Sequence, residues 1–211
     1  MKPPAWMRLL FPGAIWREKT VDKRVFLTFD DGPVPGITPW VIEQLKKTEA
    51  KATFFCIGDN VRKYPGVFDN LKKEGFGIGC HGFSHKPGHK AGFKAYLKDI
   101  DKGLEYCGPV QWFRPPHGII FPWWIPAIRK KGLNVVLWDV LSCDYDRSLL
   151  PQEVTANVLR NIRPGSIIVF HDSLKAWPNL KVALPEVLKW IKLHGYTTGF
   201  LTSINQNKRI L

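Results

Sequence analysis

Thr28-Phe29-Asp30-Asp31-Gly32 places two adjacent carboxylates after an apolar run, and His81-Gly82-Phe83-Ser84-His85 later supplies two imidazoles four positions apart. Neighbouring side chains at a strand end project to opposite sides. One aspartate can therefore ligate a cation while the other faces a substrate. Asp31, His81 and His85 offer one oxygen and two nitrogens, a donor set suited to a divalent transition metal with positions left open. Zn2+ fits it best, and Co2+, Ni2+ and Fe2+ are compatible. Asp30 is then placed to take a proton from water acidified by the cation. An isolated H-x-x-x-H is a weak signal; the Asp-Asp-Gly ahead of it gives it weight.

Further along, Phe113-Arg114-Pro115-Pro116-His117-Gly118 is stiffened by successive prolines that set Arg114 at a strand terminus. A buried guanidinium needs an anion. Pairing with Asp30 would hold that carboxylate ionised and oriented. His171 ends the apolar run Ile167-Ile168-Val169-Phe170, so its imidazole emerges from the core, where it can protonate a leaving amine. Asp144, if it touches His171, raises the imidazole pKa and keeps the acid protonated near neutrality. Trp123 and Trp124 offer flat apolar surface either to a sugar ring or to the core.

These groups need a scaffold that delivers them to one place. Short apolar runs alternate with longer amphipathic stretches, as in repeated β-α units. Strands are expected at Arg24 to Phe29, Ala52 to Cys56, Phe76 to His81, Gln111 to Arg114, Asn134 to Trp138, Ser166 to Phe170 and Tyr196 to Leu201. Helix starts are marked by Thr38 as a cap with Pro39 behind it, by Pro65 and by Pro151. Gly75, Gly132, Gly165 and Gly195 each stand between a helical stretch and a strand, where a positive φ closes the helix. Seven such units close more naturally into a parallel β/α barrel than into an open doubly wound sheet, the alternative. Asp30 and Asp31, His81, Arg114, Asp144 and His171 then follow successive strands at one rim.

With 211 residues, 45% hydrophobic and 23% charged, and no linker-like stretch, the chain reads as one catalytic domain. The net charge of +13 favours anionic partners, but the paired lysines suit solvated helix faces, and no specific nucleic-acid partner is expected. Cys56, Cys80, Cys107 and Cys143 show no paired spacing and read as free thiols. No apolar run approaches the ~18 to 20 residues needed to span a bilayer. The stretch from Leu9 to Trp16, broken by Pro12-Gly13, is a poor secretory core, which leads to the expectation of a soluble cytoplasmic protein.

The ordered set T-F-D-D-G, H-x-x-x-H, R-P-P-x-G, a later Asp followed by an aromatic, and an apolar residue two before His171 resembles the polysaccharide deacetylases. These are the NodB-homology enzymes of carbohydrate esterase family 4. The resemblance runs from Val21 to Ile204. It implies a single-domain distorted (β/α)7 barrel over 21–204, between an N-terminal arm (1–20) and a C-terminal tail (205–211). It also implies metal-dependent removal of acetyl from N-acetylated sugars, or in some members O-acetyl from xylan. In that pattern Asp30 is the base, Asp31, His81 and His85 are the metal ligands, Arg114 orients the base, His171 is the acid and Asp144 its partner. The His117 backbone amide matches the oxyanion donor. Val169 stands where the family usually has an acetyl-lining Leu, His117 where Tyr is usual, and Tyr145 where Trp is usual. Lys86 follows His85 in place of Pro, and Cys80 and Gly82 flank His81 where Asn and a hydroxyl residue are frequent. Two competing readings are an amidase or esterase for a small nonpolymeric molecule and, more distantly, a noncatalytic polyanion-binding protein.

Overall fold

The computed structural model describes residues 2–4 and 6–202, so the expected tail and the end of the 21–204 unit lie outside the described residues. The strands are β1 (Arg24–Asp30), β2 (Ala52–Cys56), β3 (Gly77–Cys80), β4 (Trp112–Phe113), β5 (Asn134–Val135), β6 (Val140–Leu141), β7 (Ile167–His171) and β8 (Thr197–Thr198). Seven of them lie parallel in the order β5-β4-β3-β2-β1-β7-β6, and β8 pairs with the start of β1. This order is the chain order taken around a circle and cut between β5 and β6. A doubly wound sheet would instead reverse its order part-way and carry helices on both faces. The result is a half-barrel with its helices outside, the distorted (β/α)7 architecture.

Strand alternation explains the two cores. Val25, Leu27 and Phe29 of β1 and Ile168 and Phe170 of β7 face the helices, in a cluster with Val41, Leu45 and Leu184. Phe26 and Ile167 point the other way and fill the barrel foot with Phe55, Trp112, Val136 and Leu201. Phe26 lies beside Ile167, Thr28 beside Val169 and Asp30 beside His171. The inner face of this pair thus runs from apolar at the foot to ionisable at the mouth.

The seven expected strands differ in membership from the observed sheet path. Tyr196 to Leu201 supplies only β8, and Asn134 to Trp138 is regular only over β5, while β6 was not anticipated. Asp144 therefore follows the sixth strand and His171 ends the seventh. Where the seam opens beyond β5, the N-terminal arm enters: Ile15 bridges Val136, and Arg17 bridges Ser166. Arg8 and Arg163 pair with the buried Asp139, and Glu18 accepts hydrogen bonds from Thr202.

Gly75, Gly132, Gly165 and Gly195 all take positive φ. The helices Pro65–Lys73 and Pro151–Leu159 begin at their prolines, where the absent N–H leaves no bond unmade. Thr38 departs from expectation. The helix Ile37–Lys47 is preceded by Gly36 at φ 78°, and Thr38 sits within its first turn. Its hydroxyl accepts the Val34 N–H at 2.8 Å and donates to Asp172 at 2.5 Å, a tertiary bond in place of a cap. Trp124 is buried against Tyr96, Phe93 and Phe121, which removes it from any sugar platform.

Candidate active site

At the carboxyl ends of the strands lies a cavity of about 240 Å3 lined by Asp30, Asp31, His81, His85, His117, Gly118, Trp138, Leu141, Tyr145, Val169, His171 and Lys175. Asp30 reaches it from inside the barrel. Arg114, fully buried, donates from Nη1 to Asp30 Oδ1 at 2.7 Å and to Thr28 Oγ1 at 2.8 Å. Its Nη2 and Nε reach the carbonyls of Leu137 and Val136 at 3.1 and 3.3 Å, and the guanidinium lies 4.1 Å over the Phe55 ring. So anchored, the arginine leaves the carboxylate one orientation.

Asp31 takes φ 80°, which turns its side chain away from that of Asp30. The sharp turn behind it is held from both sides. Asn60 donates to the Asp31 carbonyl at 2.7 Å, and the Gly32 N–H donates to Asp172 at 3.1 Å. Gly32 is obligatory, because a Cβ there would stand 2.0 Å from Asp172 Oδ2. Asp31 Oδ1 lies 3.1 Å from His85 Nε2 and 3.7 Å from His81 Nε2. It is buried and, despite those distances, has no well-directed hydrogen bond. His81 Nδ1 meets the Arg114 carbonyl at 2.8 Å; a carbonyl only accepts, so Nδ1 carries the proton and the Nε2 lone pair faces Asp31.

Ligand atoms of Asp31, His81 and His85 all lie within 4.8 Å of one another, and among the described residues no other His, Cys, Asp or Glu group converges in this way. An orphaned carboxylate oxygen facing imidazole nitrogens fits a divalent cation. The protonation states agree. Burial pulls His81 down to about 4, keeping it neutral and able to ligate. Burial pushes the Asp31 carboxyl up, but the His85 contact and the imidazoles of His171, His81 and His85 outweigh it and hold the group ionised.

His171 is supported differently. Asp144, fully buried, accepts from His171 Nδ1 at 2.7 Å and from the His171 backbone N–H at 2.8 Å. Burial alone would lower this imidazole, but the Asp144 carboxylate overrides it, with help from Asp31 and Asp30, and lifts it to about 9. Asn179 fixes the Asp144 loop by donating to the carbonyls of Asp144 and Asp146. Tyr145 meets the His171 ring edge-on at 5.0 Å, and Val169 lines the cavity floor. His117, at φ 58°, sits against the His85 ring at 4.4 Å, and burial and His85 lower its pKa. Trp123 is exposed, stacked on Phe121, and outside the cavity lining.

A sequence model of polysaccharide deacetylases matches residues 17–136. The chain belongs to the polysaccharide deacetylase family. A chitooligosaccharide deacetylase from Azorhizobium caulinodans is 35% identical over 156 residues, which are 70% of this chain and 73% of that one. Among solved structures, the Bc1960 peptidoglycan N-acetylglucosamine deacetylase superposes with a TM-score of 0.82 at 29% identity, over 93% of this chain and 94% of that one. A family 4 pseudoenzyme from Bacillus anthracis, BA3943, shares the fold at TM-score 0.81 and 24% identity, over 94% of this chain and 71% of that one. A deacetylase fold alone therefore does not decide activity, and the side chains at the mouth must.

Four contributors were not singled out from sequence. Asp172 is fully buried beneath the Asp31 turn, and burial pushes its carboxyl up to about 8. Its neighbour in sequence, His171, carried the available signal, but Asp172 points the other way. Trp138, Leu141 and Lys175 line the cavity from segments with no motif of their own. The Trp138 ring packs so closely on Gly118 that a Cβ there would stand 2.1 Å from it, and Gly118 takes φ 68°.

Proposed function

We propose that the protein is a divalent-metal-dependent deacetylase that hydrolyses the acetamide of an N-acetylglucosamine-containing glycan or oligosaccharide, releasing acetate and a free amino sugar. One observation carries this reading. A carboxylate without a free rotamer, an imidazolium backed by a buried aspartate and an Asp-His-His donor set all open into one cavity. Kinship to deacetylases of chitooligosaccharide and peptidoglycan supports the substrate class.

A divalent cation at Asp31, His81 and His85, with Zn2+ best suited to the donors, supplies Lewis acidity toward a carbonyl oxygen and toward water. Asp30 takes the proton from the attacking water, and Arg114 keeps the carboxylate aimed while that proton moves. The His117 backbone N–H, at the left-handed turn, donates to the developing oxyanion. His171, protonated at neutral pH, gives its proton to the departing amine, and Asp144 stabilises the imidazolium beforehand. Val169 with Tyr145 encloses the acetyl methyl, and exposed Trp123 offers a sugar-stacking surface further out.

The test is acetate release from N-acetylglucosamine oligomers, before and after chelation and re-addition of single divalent ions, with metal content measured in parallel. Chelation should abolish release and one or more ions restore it. His81→Ala and His85→Ala should each bind at least tenfold less metal. Unchanged metal content in those variants overturns the ligand set, and no acetate from any N-acetylated glycan overturns the activity.

A further inference from the structure

We propose that Lys175 forms a subsite for an anionic substituent, a carboxylate or a phosphate, carried by the substrate beside the acetamide that is cleaved. The inference rests on the deacetylase reading of the same cavity. Lys175 lies on the loop after β7 and lines the cavity with the base and the acid. The other formally charged lining residues have assigned partners: Asp30 pairs with Arg114, His171 with Asp144, and Asp31 faces His81 and His85 in the metal donor set. Lys175 makes no ion pair among the described residues; its ammonium rests over the Tyr145 ring, 5.4 Å from the centroid.

Nearby acids are engaged elsewhere. Both oxygens of Asp144 accept from His171, and Asp146 Oδ1 accepts the Ser148 N–H and hydroxyl at 3.0 and 2.7 Å. The Ser148 hydrogen bonds lower the Asp146 carboxyl and the Lys175 charge helps, but from beyond ion-pair distance, so the ammonium makes no ion pair or hydrogen bond among the described residues and keeps donors to offer. Tyr145 stands edge-on to His171, so the wall reads imidazole, phenol ring, ammonium from the reacting centre outward. The loop is braced beneath by Arg147, which reaches the carbonyls of Leu174 and Lys175 at 3.4 and 3.5 Å and adds positive charge to the same rim. The helix Trp177–Leu193 begins just beyond, with no acidic residue in its own first turn.

Size narrows where the anion sits. A cavity of about 240 Å3 is below the ~300 Å3 lower end for small-molecule pockets. It takes the acetamide end of one sugar, and a substituent on that sugar or its neighbour meets the rim.

The experiment compares three N-acetylated probes on the metal-loaded protein: a neutral N-acetylglucosamine oligomer, the same oligomer bearing an N-acetylmuramic acid lactyl carboxylate, and N-acetylglucosamine phosphate. Affinities are read by calorimetry in an Asp30→Asn background that slows turnover, and kcat/KM ratios in its absence. The better anionic probe should bind about tenfold more tightly than the neutral one, as a charge-assisted hydrogen bond predicts, and the advantage should shrink with salt. Lys175→Gln should erase it, Lys175→Glu invert it and Lys175→Arg retain most of it. Which anion gains more separates a carboxylate from a phosphate. Equal binding of neutral and anionic probes, or an advantage that survives Lys175→Gln, overturns the subsite. Absence of acetate from every probe with the binding preference intact would instead defeat the deacetylase reading and leave the subsite standing.

Discussion

The foot and the mouth of the barrel each enclose an aspartate oxygen among cationic or cation-capable groups, but they finish it differently. At the foot, Asp139 receives Arg163 Nε and Nη2 at 2.9 and 2.7 Å, the Ser166 hydroxyl at 2.8 Å, and Arg8. Burial opposes its charge, but Arg163, Ser166 and Arg8 win and hold its carboxyl at about 2. At the mouth, Asp31 Oδ1 is just as enclosed and accepts no directed bond, while two imidazoles on the cavity wall are driven apart, His81 to about 4 and His171 to about 9. A group that holds structure has its lone pairs filled, and one kept for chemistry has them aimed and open.

The comparison breaks first at Asp30. Asp30→Asn should lower acetate release by roughly 10²- to 10⁴-fold, the usual weight of a general base, with near-ultraviolet circular dichroism retained. Wild-type turnover in that variant would remove the distinction. At the foot the expectation reverses. Asp139→Asn should cost roughly 1–3 kcal/mol in a urea titration, because its arginines are partly solvated, with activity per folded molecule within about twofold.

The pH profile sharpens the contrast further. In the proposed acid role His171 must be protonated, so kcat/KM should fall as pH rises through about 9. Asp144→Asn removes the main influence raising that value, so the fall should move to lower pH; an unmoved limb would take the role from His171.

The smallest effect separates the two buried acids by their stability curves. Asp139, depressed in the fold to about 2, contributes stability that is present above the ordinary carboxyl range and lost as pH falls toward 2. Asp172, raised to about 8, contributes in the opposite sense: fully below about pH 4 and progressively lost as pH rises through 8. Asp172→Asn should flatten the slope between those limits, as measured by denaturation midpoints, and an unchanged slope would mean that the carboxyl is charged in the fold.

The residues at the mouth were legible because strand ends announce themselves locally. Apolar runs ending in Asp30, His81, Arg114 and His171 place those groups at one rim as soon as the strands are parallel, and prolines and glycines punctuate the rest. What escaped was tertiary. β6 has two residues, too few for alternation to show, so from sequence Asp144 reads as following the fifth strand. Thr38 carries the composition of a cap, and only the arrival of Asp172 from β7 redirects its hydroxyl. Trp123 and Trp124 are identical in type, and a single short turn exposes one and buries the other. An unpaired Lys175 resembles every solvated lysine until the neighbouring loops are in place.

Arg114 reaches across more of the molecule than its role beside Asp30 requires. It ties β1 at Thr28 and Asp30 to the Val136 and Leu137 carbonyls just past β5, the very stretch that the N-terminal Ile15 joins. The last join in the barrel and the aim of the Asp30 carboxylate thus share one side chain, a keystone in the mechanical sense. Ile15 and Arg114 grip the same segment from two sides, so a substitution that frees Ile15 should also loosen the hold on Asp30.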